Sequence, residues 1–308
     1  MKILCFLLLF FFQHYSIAQQ TISGKIINSE TGEGIPYATV RTIENQNIGT
    51  ISDKNGDFKI QMTSDLDSIY FHVSASGYHF QNIYLQNTIK NQLIKLDERI
   101  FELDEIEVVP QKVGEINWYE DSDGLKLYGS TDEDKAFVPM MMKIESTGEF
   151  HGNAFKLKKK VKVNEISFHF FKDDGYPDKL YMRIFSTDEK AEFSRNIPIS
   201  YLNELTIKTI LIDDLKNGFN TLDISSENIV ASGGYLIIAF TADINDVSKK
   251  KFAVYQEKSS GKDILRFSLN SNQFTIFPPF LPKYLIGFNY IDVDEGKVRF
   301  KWLRNIFK

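Results

Sequence analysis

Residues able to do chemistry fall into three groups, and each points to a different kind of site. The first is a set of acidic turns: Asp53, Asn55 and Asp57 around Gly56; Asp121-Ser122-Asp123-Gly124; Asp173-Asp174-Gly175 with Asp178; and Asp292-Val293-Asp294-Glu295. Clustered oxygens suit a hard cation such as calcium. An EF-hand loop, however, needs Gly at its sixth position and a bidentate Glu at its twelfth. Counted from Asp53, the Gly comes fourth and the last place is Ser64. The turns therefore read as solvated loops. A structural calcium ion would be chemically compatible with them, but none is predicted and no cofactor is expected. The second group is the histidines. His72 alternates with Ile69, Phe71 and Val73 and reads as an exposed strand residue, while His169, between Phe168 and Phe170, reads as buried in a sandwich. No Gly-x-Ser-x-Gly elbow, phosphate loop, dinucleotide fingerprint or Cys/His cluster occurs, so no catalytic residue is assigned.

The third group could bind. Lys156, Lys158, Lys160 and Lys162 read as one face of a strand over 155–163, with Leu157, Val161 and Val163 on the other and Lys159 breaking the inner row. Lys297, Arg299 and Lys301 alternate with Val298, Phe300 and Trp302 in the same way. Period two makes these half-buried strands, and lysines also protect sheet edges from aggregation. Brought together, the stripes could hold an anionic lipopolysaccharide or acidic glycan by clustered charge. Trp118, Tyr119 and Tyr128 are the aromatics to inspect for stacking on a sugar, although a tryptophan in such a lead-in also serves to cover a sandwich end. Trp118, Tyr119, Lys158 and Lys160 are thus the candidate ligand-binding residues.

The elements that must position these groups are strands. Thr21 to Ile27, Tyr37 to Thr42, the run from Phe58 to Met62, Ile69 to Val73, His79 to Leu85 and Leu93 to Leu96 all alternate apolar with polar residues. Asn55-Gly56 between two alternating runs predicts a β-hairpin, because both residues tolerate the positive φ of a tight turn. About seven short strands in roughly 90 residues with turn signals between them predict an antiparallel sandwich. Beyond residue 110, Ile166/Phe168/Phe170 and Leu180/Met182/Ile184 alternate with Ser167/His169/Phe171 and Tyr181/Arg183/Phe185. Tyr235 to Thr241 is nearly continuous apolar and predicts a central strand, with further strands at Phe252 to Tyr255 and Ile264 to Leu269. Residues 114–129 read as an irregular lead-in.

Gly24, Thr31-Gly32, Ile35-Pro36-Tyr37-Ala38-Thr39-Val40, Gly49-Thr50, Ser52-Asp53, Gly56, Phe58 and Ser76-Gly77-Tyr78 together resemble the carboxypeptidase regulatory-like domain of transthyretin-like fold. The likeness covers residues 20–109. Its closing Leu103-Asp104-Glu105-Ile106-Glu107-Val108-Val109 is similar to the end of that module where it precedes the plug of TonB-dependent transporters in Bacteroidetes-type bacteria. The family name does not carry over a peptidase activity. The catalytic half would need a His-x-x-Glu pair as zinc ligands, and the residues three places after the histidines are Ile17, Ala75, Asn82, Ala154 and Lys172. Nor can fewer than 200 residues supply a plug and a transporter barrel of 22 strands at about 9 to 11 residues each. Gly218-Phe219-Asn220-Thr221-Leu222-Asp223-Ile224 and Gly233-Gly234-Tyr235-Leu236 are similar to stretches of jelly-roll modules in Bacteroidetes envelope proteins.

Composition agrees with an all-β chain of two parts. The 308 residues are 43% hydrophobic and 14% aromatic, ample for two cores. From Gln19 to Pro110 there are 7 Lys+Arg against 13 Asp+Glu, whereas Gln111 to Lys308 carries 28 of each, which supports a boundary near residue 110. A net charge of −5 argues against a nucleic-acid partner. Lys2, the apolar run from Ile3 to Phe12 and Ser16-Ile17-Ala18 have the order of a signal peptide, with cleavage expected after Ala18. That run is half the ~20 residues a membrane span requires, so no transmembrane helix is expected after cleavage. The lone Cys5 precedes most of the run, which leaves a mature chain with no disulfide. The expectation is an all-β protein: a signal peptide over 1–18, an N-terminal transthyretin-like or Ig-like sandwich over 19–110, and a larger jelly-roll-like β-sandwich over 111–308. It would be exported, to the periplasm or outer-membrane surface, and non-catalytic. Its expected role is to bind or scaffold an envelope glycan, polymer or protein; alternatives are an accessory subunit of a TonB-dependent uptake system and, behind that, a hydrolase on the jelly roll.

Overall fold

A computed structural model describes residues 20–43, 48–62, 68–86, 91–99, 113–116, 126–127, 136–143, 148–170, 177–187, 197–216, 218–242, 251–257, 264–270, 273–277, 283–284 and 286–292. Among them the chain is all-β, and its only helical turns are two short 3-10 segments, Ile199–Tyr201 and Ser225–Glu227. The expected signal peptide and the boundary near residue 110 lie outside the described residues.

The first seven strands are β1 (Gln20–Asn28), β2 (Thr39–Thr42), β3 (Gly49–Ile51), β4 (Asp57–Met62), β5 (Ser68–Ser74), β6 (Gln81–Gln86) and β7 (Gln92–Leu96). They form two facing sheets, ordered β4-β1-β7 and β3-β2-β5-β6. Period-two alternation explains the core. Phe58, Ile60 and Met62 of β4 and Phe71 and Val73 of β5 point inward with Ile22, Ile26, Val40, Ile94 and Leu96, and each is nearly inaccessible to water. Burying each such side chain contributes about 1.5–3 kcal/mol, so this row is what holds the two sheets face to face.

Two expectations need correction here. The sandwich is not wholly antiparallel, because β1 and β7 run parallel, with Gly24 opposite Gln92 and Asn28 opposite Leu96. The turn at Asn55-Gly56 closes no hairpin: β3 pairs with β2 and β4 pairs with β1, so the turn carries the chain from one sheet to the other. Its local chemistry is nevertheless that of a tight turn. Asp53 accepts hydrogen bonds from the Asn55 and Asp57 amides at 2.8 and 2.9 Å, so its carboxylate is engaged with backbone rather than presented to a cation. Gly56, at φ 82°, offers its carbonyl to the Ile26 amide of β1 at 2.9 Å. That docking onto β1 draws the following strand into the opposite sheet.

The larger unit is also a sandwich. An eight-stranded sheet has the order 197–198, 273–276, 264–269, 150–156, 235–241, 180–187 and 203–204, with 210–212 also paired to 180–187. It faces a sheet ordered 218–223, 161–170, 286–292 and 113–116, with 230–231 paired to 161–170. A third, ordered 283–284, 251–257, 136–143 and 126–127, completes the set. Consecutive strands at 150–156, 161–170 and 180–187 pass from one main sheet to the other and back. The core between these sheets holds Phe155, Phe168, Phe170, Met182, Ile184, Leu236, Ile238, Phe240 and Phe288. The reverse face of the eight-stranded sheet is apolar too, through Phe150, Phe185, Ile237, Ala239, Leu265 and Phe267. Tyr235–Thr241 is accordingly buried along its whole length, as its apolar run predicts. Within the lead-in, Val113–Ile116 and Lys126–Leu127 are strands, the first pairing with Ile286–Asp292.

Candidate functional site

The two sandwiches meet, and a cleft opens at the meeting. On the first, inward packing of Phe71 and Val73 turns His72 and Ser74 of β5 outward, and the same alternation turns out Thr39 and Arg41 of β2. Register then sets Thr39 beside Ser74 and Arg41 beside His72. The Thr39 and Ser74 hydroxyls are 2.8 Å apart. On the second, Met182 and Ile184 enter the core, so Arg183 and Phe185 of Leu180–Thr187 face the other way. The two-residue strand Asn203–Glu204 pairs with this one and puts Glu204 opposite Phe185.

Glu204 is where the two halves join. Arg183 donates to both its carboxylate oxygens, Nε to Oε1 and Nη2 to Oε2, each at 2.5 Å, in the two-pronged geometry a guanidinium favours. The Arg183 Nη1 also donates to Ser74 Oγ at 3.2 Å. Ser76, from the first sandwich, donates to Glu204 Oε1 at 2.6 Å. Arg99 reaches across and donates to the Glu204 backbone carbonyl at 2.7 Å. Arg41, 1% exposed, donates to the Gly148 carbonyl at 3.4 Å. The Tyr37 and Tyr181 rings meet at a tilt of 48° with centres 5.6 Å apart. Tyr37 holds φ 57° behind Pro36, an unusual conformation for a bulky residue, and β2 begins two residues later than the sequence suggests.

The cleft encloses about 270 Å³. Arg41, Arg99 and Arg183 contribute three guanidinium groups to its walls, against one carboxylate, Glu204. Burial pushes Arg41 down to about 10, partly offset by Glu149 nearby, which still leaves it charged at neutral pH. Burial likewise lowers Arg99, with Glu204 opposing. His72 is pushed down to about 4, first by burial and then by Arg41 and Arg183, against a raising hydrogen bond from Asn82. Its ring is therefore neutral near pH 7, with Nδ1 2.9 Å from Asn82 Oδ1 and its face 5.2 Å from Phe80. Phe150 and Phe185 line the floor, with the Arg183 guanidinium carbon 5.3 and 5.4 Å from their ring centres. His79, Phe80, Ser200 and Asn203 stand exposed at the rim. This arrangement attracts an anion. Among the described residues, no group of three His, Cys, Asp or Glu is placed to hold a metal.

Little of the site was anticipated. Trp118, Tyr119 and Tyr128, and the stripe at Lys297, Arg299 and Lys301, lie outside the described residues. Lys158 and Lys160 do not lie on a strand face: the Phe150–Lys156 strand ends and residues 157–160 turn before Val161–Phe170 begins. The tight reversal lets Leu157 and Val161 enter the same core, and Lys159 lies over the Tyr290 ring at 5.1 Å. His72 is not exposed as expected. It is 2% exposed, packed against Phe80 and Asn82 of its own sandwich in the wall of the cleft. One signal was available: the outer row of Leu180–Thr187 reads Tyr181, Arg183, Phe185, an aromatic-flanked arginine unlike a solvated face.

The fold and cleft define a two-sandwich protein with a cationic interdomain site. Residues 22–108 match the model of the CarboxypepD_reg-like domain family, and the first sandwich is that domain. No curated protein matches the chain. Among solved structures, a DUF3823 family protein from Parabacteroides merdae is 8% identical over 86% of this chain and 98% of its own, with TM-score 0.21. A structure described as carbohydrate-binding modules of the β-sandwich superfamily is 7% identical over 90% of this chain and 96% of its own, with TM-score 0.14. Likenesses this low carry no weight for function. Among the described residues no helix is long and apolar enough to cross a membrane.

Proposed function

We propose that this chain is an exported, non-catalytic binding or scaffolding protein of the cell envelope. Its CarboxypepD_reg-like domain and larger sandwich act as one recognition unit, divided near residue 110. The observation that carries this reading is the cleft, whose walls come from both sandwiches and whose polar groups converge; the Ser76 and Thr206 hydroxyls that meet Glu204 are buried, and Arg183 holds both of its carboxylate oxygens. Ser76 is committed to Glu204 and the His72 Nδ1 lies against Asn82 Oδ1. Export is supported by the leader-like run before Ala18. An accessory role beside a TonB-dependent transporter is the second reading, favoured by the closing Leu103–Val109 stretch alone.

Fractionation of cells expressing the full chain, followed by cross-linking in the envelope and a thermal-shift screen against glycans, tests the proposal. The expected result is envelope recovery with a saturable shift or a cross-linked partner. Recovery in the cytoplasm, or turnover of a substrate abolished by one substitution in the cleft, would overturn it. Co-purification with a transporter would select the second reading.

A further inference from the structure

Building on that reading, we infer that the interdomain cleft binds an acidic saccharide, a single sugar ring bearing a carboxylate. Charge gives the anion. Three arginines face one lining carboxylate, and counting Glu149 beside Arg41 as well still leaves one positive charge in excess. The neutral state of His72 adds none. The Arg183 fork already holds Glu204, so a ligand carboxylate is drawn by the charge of Arg41 and Arg99 on the wall, planar groups that match a carboxylate as a lysine cluster would not. Burial strengthens the attraction, because few waters screen the cleft wall at Arg41 and Arg183.

Size and the remaining lining select the sugar. About 270 Å³ lies just below the usual range of drug-sized ligand sites and admits one ring rather than a folded peptide. Around the guanidiniums the Asn203 amide and the Ser200 hydroxyl stand exposed at the rim, where they can donate to and accept from ring hydroxyls, and the Asn270 amide lines the wall. Phe80, 47% exposed at the mouth and backed by His72, offers an apolar face to the C–H side of a ring. An anion-binding site alone would need neither the amides nor the exposed ring.

Titration calorimetry on the purified protein tests this with galacturonic and glucuronic acid oligomers, their neutral galactose and glucose counterparts, and acetate and inorganic phosphate as bare anions. The expected result is binding of a uronate at least about tenfold tighter than its neutral counterpart or either bare anion, weakening as salt is raised. Arg99→Gln is expected to weaken it about tenfold. Ser200→Glu, at an exposed rim position, is expected to weaken it similarly with no change in unfolding temperature. Equal affinity for neutral and acidic oligomers would overturn the acidic specificity while leaving the binding role intact. Phosphate or acetate binding as tightly as a uronate would overturn the saccharide assignment. Absence of uronate binding by a folded protein would overturn the inference, and the envelope cross-linking above decides the broader proposal separately.

Discussion

Glu204 joins groups from both sandwiches, and its replacement has a definite expected outcome. Removing one partner of a buried ion pair leaves the other desolvated, which costs roughly 3–5 kcal/mol. Glu204→Ala strands Arg183 in this way, and a urea unfolding midpoint should fall accordingly. The double replacement Arg183→Met with Glu204→Leu removes both charges and is expected to recover most of that loss in the same measurement. His72 supplies a pH test. Above about 6.5 its ring is neutral in both folded and unfolded chains and contributes no pH dependence. Between about 6.5 and the folded value of about 4, the unfolded chain takes up the proton first, so stability falls as pH falls. Below about 4 both states are protonated and the loss stops growing. The full effect is about 3 kcal/mol. His72→Gln should show a smaller loss than the parent between pH 7 and pH 4.5, measured by unfolding at each pH.

At the scale of elements, the turn from Asp53 to Asp57 decides which sheet receives β4. A Cβ on Gly56 would lie 2.4 Å from the Ile26 carbonyl oxygen of β1, and the φ of 82° already disfavours a side chain. Gly56→Ala is therefore expected to cost about 1–3 kcal/mol, seen as a lower unfolding midpoint. The alternation of β4 and β5 was legible in the sequence because a period of two needs only local hydrophobicity. Pairing was not. An Asn-Gly pair reports a tight turn, but whether the next strand lies beside the last or crosses to the facing sheet depends on which β1 backbone groups are vacant.

For the whole molecule, the interface makes the two sandwiches one unit. Gly77 approaches the second sandwich so closely that a Cβ would lie 2.2 Å from the Ile207 carbonyl oxygen, with φ at 83°. Wild-type protein is accordingly expected to unfold in a single calorimetric transition. Gly77→Val should push the sandwiches apart and give two, with the cleft lost. A single unchanged transition in that variant would show that the contact at Gly77 does not couple them. The close approach also gives a physical reason for Ser76-Gly77-Tyr78 beyond the turn itself: Ser76 reaches Glu204 and Gly77 clears the path.

The order of residues alone made legible the all-β class, a CarboxypepD_reg-like sandwich within residues 22–108, and which faces of the strands are apolar. Those properties follow from period-two patterning and turn chemistry, which act over a few residues. That the polar faces of β2 and β5 are not solvated is visible in the folded chain and not before. Arg41 and His72 look like surface residues in the chain order and are buried where the second sandwich meets their face, more than a hundred positions away, at Gly148 for Arg41 and at Arg183 beside Ser74 on the His72 strand. The cationic cleft exists only in that closure. Charge density is a property of distances in space, and no spacing along the chain encodes the approach of three arginines from β2, the loop after β7 and the Leu180–Thr187 strand.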